Sequence, residues 1–158
     1  MKYPIRVRAC ALIIENDSIL LVEFDEPTRV GIHYNLPAGG VEPGETIIEA
    51  VKREAWEEAS VDVEVGKLAF VSEYVPSLND PSGPHGLSLM FDCKLKNGSM
   101  PKLPKNPDPN QIGVRWVPLN QLDDIVLFPN IKSQILEYCR HERNGLEYIE
   151  EHLLPLQQ

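Results

Sequence analysis

Cysteine is scarce in this chain of 158 residues: Cys10, Cys93 and Cys139 are its three thiols. None belongs to a CxxC pair or a Cys/His cluster, which excludes a zinc site of the usual spacing. An odd, widely separated set fits a reducing compartment with buried thiols better than a disulfide framework. Long apolar runs are missing too, and nothing approaches the roughly 20 residues of a membrane span. The apolar run after Arg8 stops at Glu15, too early for the core of a signal peptide. Positive charge is in short supply, with 15 Lys and Arg against 24 Asp and Glu, a net charge of −9. So acidic a surface has nothing to offset repulsion from phosphates, which argues against a sequence-independent nucleic-acid binder. It leaves room for a small phosphorylated substrate, because a bound divalent cation inverts the local field. The expectation is a soluble cytoplasmic protein with no membrane or nucleic-acid partner.

What is present is an ordinary globular balance of 42% hydrophobic and 25% charged residues. The length suits one domain over residues 1–158, able to bury roughly 70% of the unfolded chain's surface. Val7–Ile14 and Ile19–Phe24 are β-branched and aliphatic runs around the polar cluster Glu15-Asn16-Asp17-Ser18, which predicts a hairpin. Pro27–His33 reads as a loop, and Tyr34-Asn35-Leu36 as a short strand end before Pro37-Ala38-Gly39-Gly40. Further strands are expected at Val61–Val65 and Lys67–Tyr74, separated by Gly66, then at Leu87–Leu95 and Val114–Val117. The proline-rich stretch Met100–Asn110 reads as a loop, Ile131–His141 as a helix and Glu147–Leu153 as a short last helix. Strands outnumber helices and are interspersed with them, so the fold class is α+β or α/β: a mixed sheet covered by helices.

Thr46–Ser60 is the clearest helix, with Thr46 and Glu49 in capping-box spacing. At about 100° per residue, Val51, Glu54 and Glu58 fall within about 40° of Ile47. Ile48, Ala55 and Ala59 form an adjoining apolar strip, and Glu57 lies at the other edge. The inward stripe therefore begins apolar and turns acidic in its last two turns. Like charges at these spacings repel, and the helix C-terminus disfavours negative charge. Two readings are open on these residues: a solvated acidic face, or carboxylates gathered for a hard divalent cation. Gly39, Gly40 and Gly44 frame a tight loop into the helix, where a ligand can approach main-chain groups closely.

The residues from Gly39 to Val61 spell GX5EX7REUXEEXGU over 23 positions, with Ser60 in place of the last glycine. This resembles the Nudix box of the MutT-like hydrolases. The flanking hairpin, Leu36-Pro37-Ala38-Gly39-Gly40 and Trp116-Val117-Pro118-Leu119 resemble the rest of that domain. The resemblance implies a Nudix-type α/β/α sandwich and a pyrophosphohydrolase that splits a nucleoside diphosphate linked to a group X, using Mg2+ or Mn2+. It also implies roles. Glu57 and Glu58 would be the main metal ligands, Glu54 a further ligand or the group that handles the attacking water, and the Ala38 carbonyl a backbone ligand. Glu45 and Arg53 would pair to hold the loop against the helix, with or without a direct part in catalysis. Family members often add a late-loop glutamate. Here Gln111 stands in that region and cannot act as a base, so Asp108 or Glu54 would take its place. Serine enters the left-handed conformation less readily than glycine, so Ser60 predicts a slightly altered helix exit.

The box does not name X. Pro76, 15 residues beyond Val61, tilts the reading toward ADP-ribose or a nucleotide sugar, because some ADP-ribose hydrolases of the family carry a proline there. The alternatives are a house-cleaning (deoxy)nucleoside triphosphate pyrophosphohydrolase and a non-catalytic nucleotide sensor. Substrate contacts are sought in Arg6, Arg8, Arg29, His33, Tyr74 and the Asn79–Gly86 loop with His85, each also readable as an ordinary surface residue. Trp56 lies opposite the carboxylates and reads as packing or a subunit contact rather than a base-stacking platform. Homodimers are frequent in the family, and nothing in the sequence marks such a contact.

Overall fold

A computed structural model describes residues 4–76 and 83–157. Its strands are β1 (Arg6–Glu15), β2 (Ser18–Glu26), β3 (Gly31–Asn35), β4 (Ala38–Gly40), β5 (Val63–Tyr74), β6 (Gly86–Leu95), β7 (Gln111–Pro118) and β8 (Glu147–Glu150). Two α-helices, α1 (Ile47–Ala59) and α2 (Lys132–Arg140), and two short 3-10 turns complete the described elements. The strand order is β3-β2-β1-β6-β5-β8, with β4 also on β1 and β7 also on β2. The β1–β6 and β5–β8 pairs are parallel and the others antiparallel, which makes the sheet mixed.

β1 explains the layering. Successive side chains of a strand face opposite ways. Ala9, Ala11 and Ile13 join the buried cluster that includes Ala50, Val51, Ala55 and Ala59 of α1. Cys10, Leu12 and Ile14 join the other cluster, with Ile131, Ile135 and Tyr138 at α2. The small residues let α1 lie close on its face of the sheet. The result is an α/β/α sandwich.

Several local expectations change. β3 begins at Gly31, inside the segment read as a loop, because His33 and Tyr34 are buried where β3 pairs with β2. Ala38–Gly40 is a short strand on β1 and not merely a turn. β5 runs through Gly66 as one strand, with its register shifting between Val65 and Leu68. A Cβ at Gly66 would come within 2.7 Å of the Asp92 carbonyl oxygen. Glu147–Glu150 is a strand paired with β5, not a helix, and it buries Ile149 there. Ile48 is exposed and leaves the apolar strip of α1 to Ala55 and Ala59. Ser60 does adopt the left-handed conformation at φ 58°, so the exit of α1 is the one a glycine would give.

Candidate active site

The site is built on the second half of α1, and the capped start of that helix sets its phase. Thr46 accepts from the Glu49 amide at 3.1 Å and Glu49 returns a bond from the Thr46 amide at 2.8 Å, a complete capping box. That start fixes the phase of the helix. Val51, Glu54 and Glu58 turn inward, and Glu57 stays outside. Glu54 and Glu58 retain only 9% and 7% of their surface, unusual for carboxylates without a cation beside them.

Arg53 ties the box together. Its Nε and Nη2 donate to both Glu45 oxygens at 2.7 and 2.9 Å, and Nη2 also reaches the Gly40 carbonyl at 3.0 Å. Nη1 donates to Glu54 at 2.7 Å and to Glu57 at 3.2 Å. The paired bonds fix the guanidinium plane. They hold the Glu45 carboxyl down at about 2, chiefly through Arg53 and with help from the Glu42 amide. Gly39 presses against Glu54 so closely that a Cβ there would overlap its carboxylate.

Glu58 accepts from the Ala38 amide at 2.6 Å. Burial nevertheless pushes its carboxyl up to about 8, reinforced by a hydrogen bond with Asp108 and by repulsion from Glu54 and Asp108. Burial likewise raises Glu54, against the pull of Arg53. Gln111 is structural. Its Nε2 donates to the Glu58 carbonyl at 2.8 Å, and its Oε1 accepts from the Asp108 amide at 3.3 Å. It thereby ties the loop bearing Asp108 to the end of α1, and Asp108 lines the same cleft as Glu54, Glu57 and Glu58.

Among the described residues, no three His, Cys, Asp or Glu side chains stand arranged as a ready cation cage, since Arg53 draws Glu54 and Glu57 to itself. The donor set still fits a hard divalent cation: carboxylate oxygens only, partly buried and carrying excess negative charge. Glu54, Glu57, Glu58 and Asp108 are the candidates to hold it.

The carboxylate cleft, about 270 Å³, shares Arg6, Arg8 and Asn35 with a neighbouring cavity of about 480 Å³. Arg29, Tyr74 and Phe128 also line that cavity. The structure thus brings Arg8, Arg29 and Tyr74 together beside the carboxylates. His85 is set apart and bonds Glu73 at 2.6 Å. His33 is buried, stacked on Phe24 at 5.5 Å. The Asn79–Ser82 part of the proposed substrate loop lies outside the described residues. Asn35 is the residue that sequence reasoning missed. Its Oδ1 and the Nε of Arg8 are buried with no hydrogen-bond partner among the described residues. A lone asparagine in a strand carries no signal without the cavity around it. Trp56 is 56% exposed and packs into neither cluster.

The NUDIX domain model matches residues 4–139. The human 8-oxo-dGDP phosphatase NUDT18 is 30% identical over 151 residues, covering 87% of this chain and 44% of that protein. The NAD-capped RNA hydrolase NudC of Chromobacterium violaceum is 29% identical over 114 residues, covering 72% of this chain and 39% of that protein. The chain therefore spans less than half the length of these curated relatives. A NUDIX hydrolase from Nitrosomonas europaea superposes with a TM-score of 0.71 at 23% identity, over 97% of this chain and 98% of the other, a likeness of fold. With the domain model spanning both the box and the sheet that carries it, the chain belongs to the NUDIX family of hydrolases, which act on phosphoric anhydride bonds.

Proposed function

We propose that this protein is a divalent-metal-dependent pyrophosphohydrolase that cleaves a nucleoside diphosphate linked to a second group, with ADP-ribose or a nucleotide sugar as the favoured class. The carrying observation is the junction of the two cavities: an acidic cleft opens onto a basic one through Arg6, Arg8 and Asn35. A diphosphate suits that junction. Arg6 and Arg8 bind its oxygens on one side. Glu57 and Glu58, with Asp108 and the Ala38 carbonyl as further donors, would hold Mg2+ or Mn2+ on the other. A cation held there would neutralise charge developing on the phosphoryl oxygens and would make the attacking water more acidic. Glu54, kept above the usual carboxylate range by burial, accepts that water's proton. Arg53 and Glu45 hold the loop and the carboxylates in register. The unpartnered Asn35 Oδ1 and Arg8 Nε meet the polar edge of the nucleotide. The whole chain, 1–158, acts as one unit in this reading, supported by β8 joining β5 beyond the matched segment.

A second reading is a (deoxy)nucleoside di- or triphosphate substrate. It is favoured by the 30% identity to a protein named as an 8-oxo-dGDP phosphatase. A panel of ADP-ribose, nucleotide sugars, coenzyme A and (deoxy)nucleoside di- and triphosphates, with Mg2+ or Mn2+, decides between them. Metal-dependent release of two phosphate-bearing products from ADP-ribose or a nucleotide sugar is expected, reduced on the order of 10²–10³-fold in Glu57→Gln. Preferential turnover of nucleoside di- or triphosphates favours the second reading. Tight metal-dependent binding without any turnover would replace both with a nucleotide sensor.

A further inference from the structure

Glu151 is a carboxylate that the chemistry of the cleft leaves unused. It follows β8, beyond the segment that the domain model matches. It lines the cavity of about 480 Å³ that carries Arg6, Arg8 and Asn35, with the rings of Tyr74 and Phe128 on the same walls. Among the described residues it is the one acidic group lining that cavity. Ser72 Oγ donates to its Oε2 at 2.9 Å, and its Oε1 has no hydrogen-bond partner among the described residues.

The sheet sets its position. Arg8 of β1 pairs with Ser88 of β6, and Ser88 pairs with Ser72 of β5. Residues paired across neighbouring strands share a face, so the three side chains form one polar row. Ser72 is fully buried, and Glu151 hangs from its hydroxyl at the end of that row. The turn that carries Glu151 is held on both sides. Before it, buried Ile149 pairs with Ser72. After it, the Gln157 side chain exchanges two bonds with the Leu127 backbone, at 2.9 and 2.6 Å. The carboxylate is therefore in place before a ligand arrives. Burial raises its carboxyl, against the pull of the Ser72 hydroxyl and of Arg8.

We propose that Glu151 is a specificity residue for the sugar of the substrate's nucleoside, accepting hydrogen bonds from its 2′- and 3′-hydroxyls and so selecting ribonucleotides over deoxyribonucleotides. This rests on the hydrolase reading above, which puts the nucleoside in this cavity and its diphosphate at Arg6 and Arg8. A carboxylate repels phosphate, so the diphosphate does not lie at Glu151. The pentose is the group next to the phosphates, and the base comes after it, toward Tyr74 and Phe128. An ionised carboxylate only accepts, at about four lone-pair sites, of which Ser72 takes one. Two vicinal hydroxyls supply a pair of donors for the rest, the chemistry by which an acidic residue holds ribose in dinucleotide-binding folds. A 2′-deoxy sugar takes one of those donors away and leaves a half-buried acceptor short of a partner.

ADP-ribose and its analogue lacking the 2′-hydroxyl of the adenosine test this, because nothing else differs between them. The ratio of their kcat/KM values in Mg2+ is measured for the natural protein, Glu151→Gln and Glu151→Ala. The expected ratio favours the ribose compound about tenfold or more, comes within about threefold of unity in Glu151→Ala, and is intermediate in Glu151→Gln. A residue that only supports the fold lowers both rates together, so a ratio unmoved in both variants overturns the inference and leaves the hydrolase reading intact. A natural protein that turns over both compounds equally well also overturns it. If Glu151→Ala does not fold, Glu151→Gln, which keeps an oxygen for Ser72, decides alone: a ratio lowered by about threefold or more supports the inference, and an unmoved one overturns it. An unmoved sugar ratio with lost preference for ADP-ribose over its guanine counterpart places Glu151 at the base, which overturns it as well. If neither compound is turned over, the hydrolase reading of this substrate class fails. The ratio of their calorimetric affinities in the same three proteins then decides the inference on the same terms.

Discussion

Gly39 and Glu54 share a space that admits no side chain on the first without moving the carboxylate of the second. That close approach gives the first box glycine a physical reason at this position. Gly39→Ala is expected to displace Glu54 and lower kcat/KM for the best substrate on the order of 10²-fold, read in a steady-state assay beside a far-ultraviolet spectrum. Full activity would mean that Glu54 is not needed where it stands. Glu45 makes a prediction of a different kind. Arg53 lowers its carboxyl from 4.5 to about 2 in the folded protein. A carboxyl lowered on folding adds stability above its unfolded value, and the gain is lost as pH falls through the folded one. The stability advantage over Glu45→Gln should be complete above about pH 4.5 and gone below about pH 2, by urea denaturation across that range. A difference that does not change with pH would remove the ion pair as its source.

At the scale of elements, α1 begins with a capping box and ends on a left-handed serine. A side chain in that conformation costs more than glycine, although Ser60 still closes the helix with its amide on the Trp56 carbonyl at 3.0 Å. Ser60→Gly is expected to stabilise the protein by about 0.5–1 kcal/mol in urea denaturation. Destabilisation would show that the serine side chain contributes more than its backbone costs. The strand β8 illustrates how neighbours override local pattern. Glu147–Leu153 has helical length, yet Tyr148 and Ile149 suit a pleated surface, and the free edge of β5 accepts them in parallel register. Past Glu150 the segment tightens into a single 3-10 turn, where Glu151 accepts from Ser72 at 2.9 Å.

At the scale of the whole molecule, the cleft is made by parts far apart in the chain. β1 supplies Arg6 and Arg8, β3 supplies Asn35, α1 the glutamates, and the loop before β7 Asp108. Burial raises the carboxyls of Glu54 and Glu58, so a divalent cation that favours their charged forms should stabilise the folded state. Saturating Mg2+ at about 100 times its Kd adds roughly 2.7 kcal/mol and lifts Tm by several degrees. Glu58→Gln should lose most of that rise. An equal rise in the variant would place the cation elsewhere.

The sequence alone carried the motif, the phase of α1 and the β1–β2 hairpin. These depend on spacing along the chain, which periodicity reports directly. It therefore set Glu54 and Glu58 inward and Trp56 opposite the core, with Glu57 at the edge of the inward stripe. It missed β8 and the start of β3, because both form only against a neighbouring strand. It also gave no sign that Gln111 anchors the Asp108 loop to α1, or that Asn35 and Arg8 leave polar atoms unpartnered at a shared wall. Those facts depend on which distant segments meet. Tertiary packing alone brought the arginines of β1 to one side of the carboxylates, because only the folded sheet sets β1 beside α1.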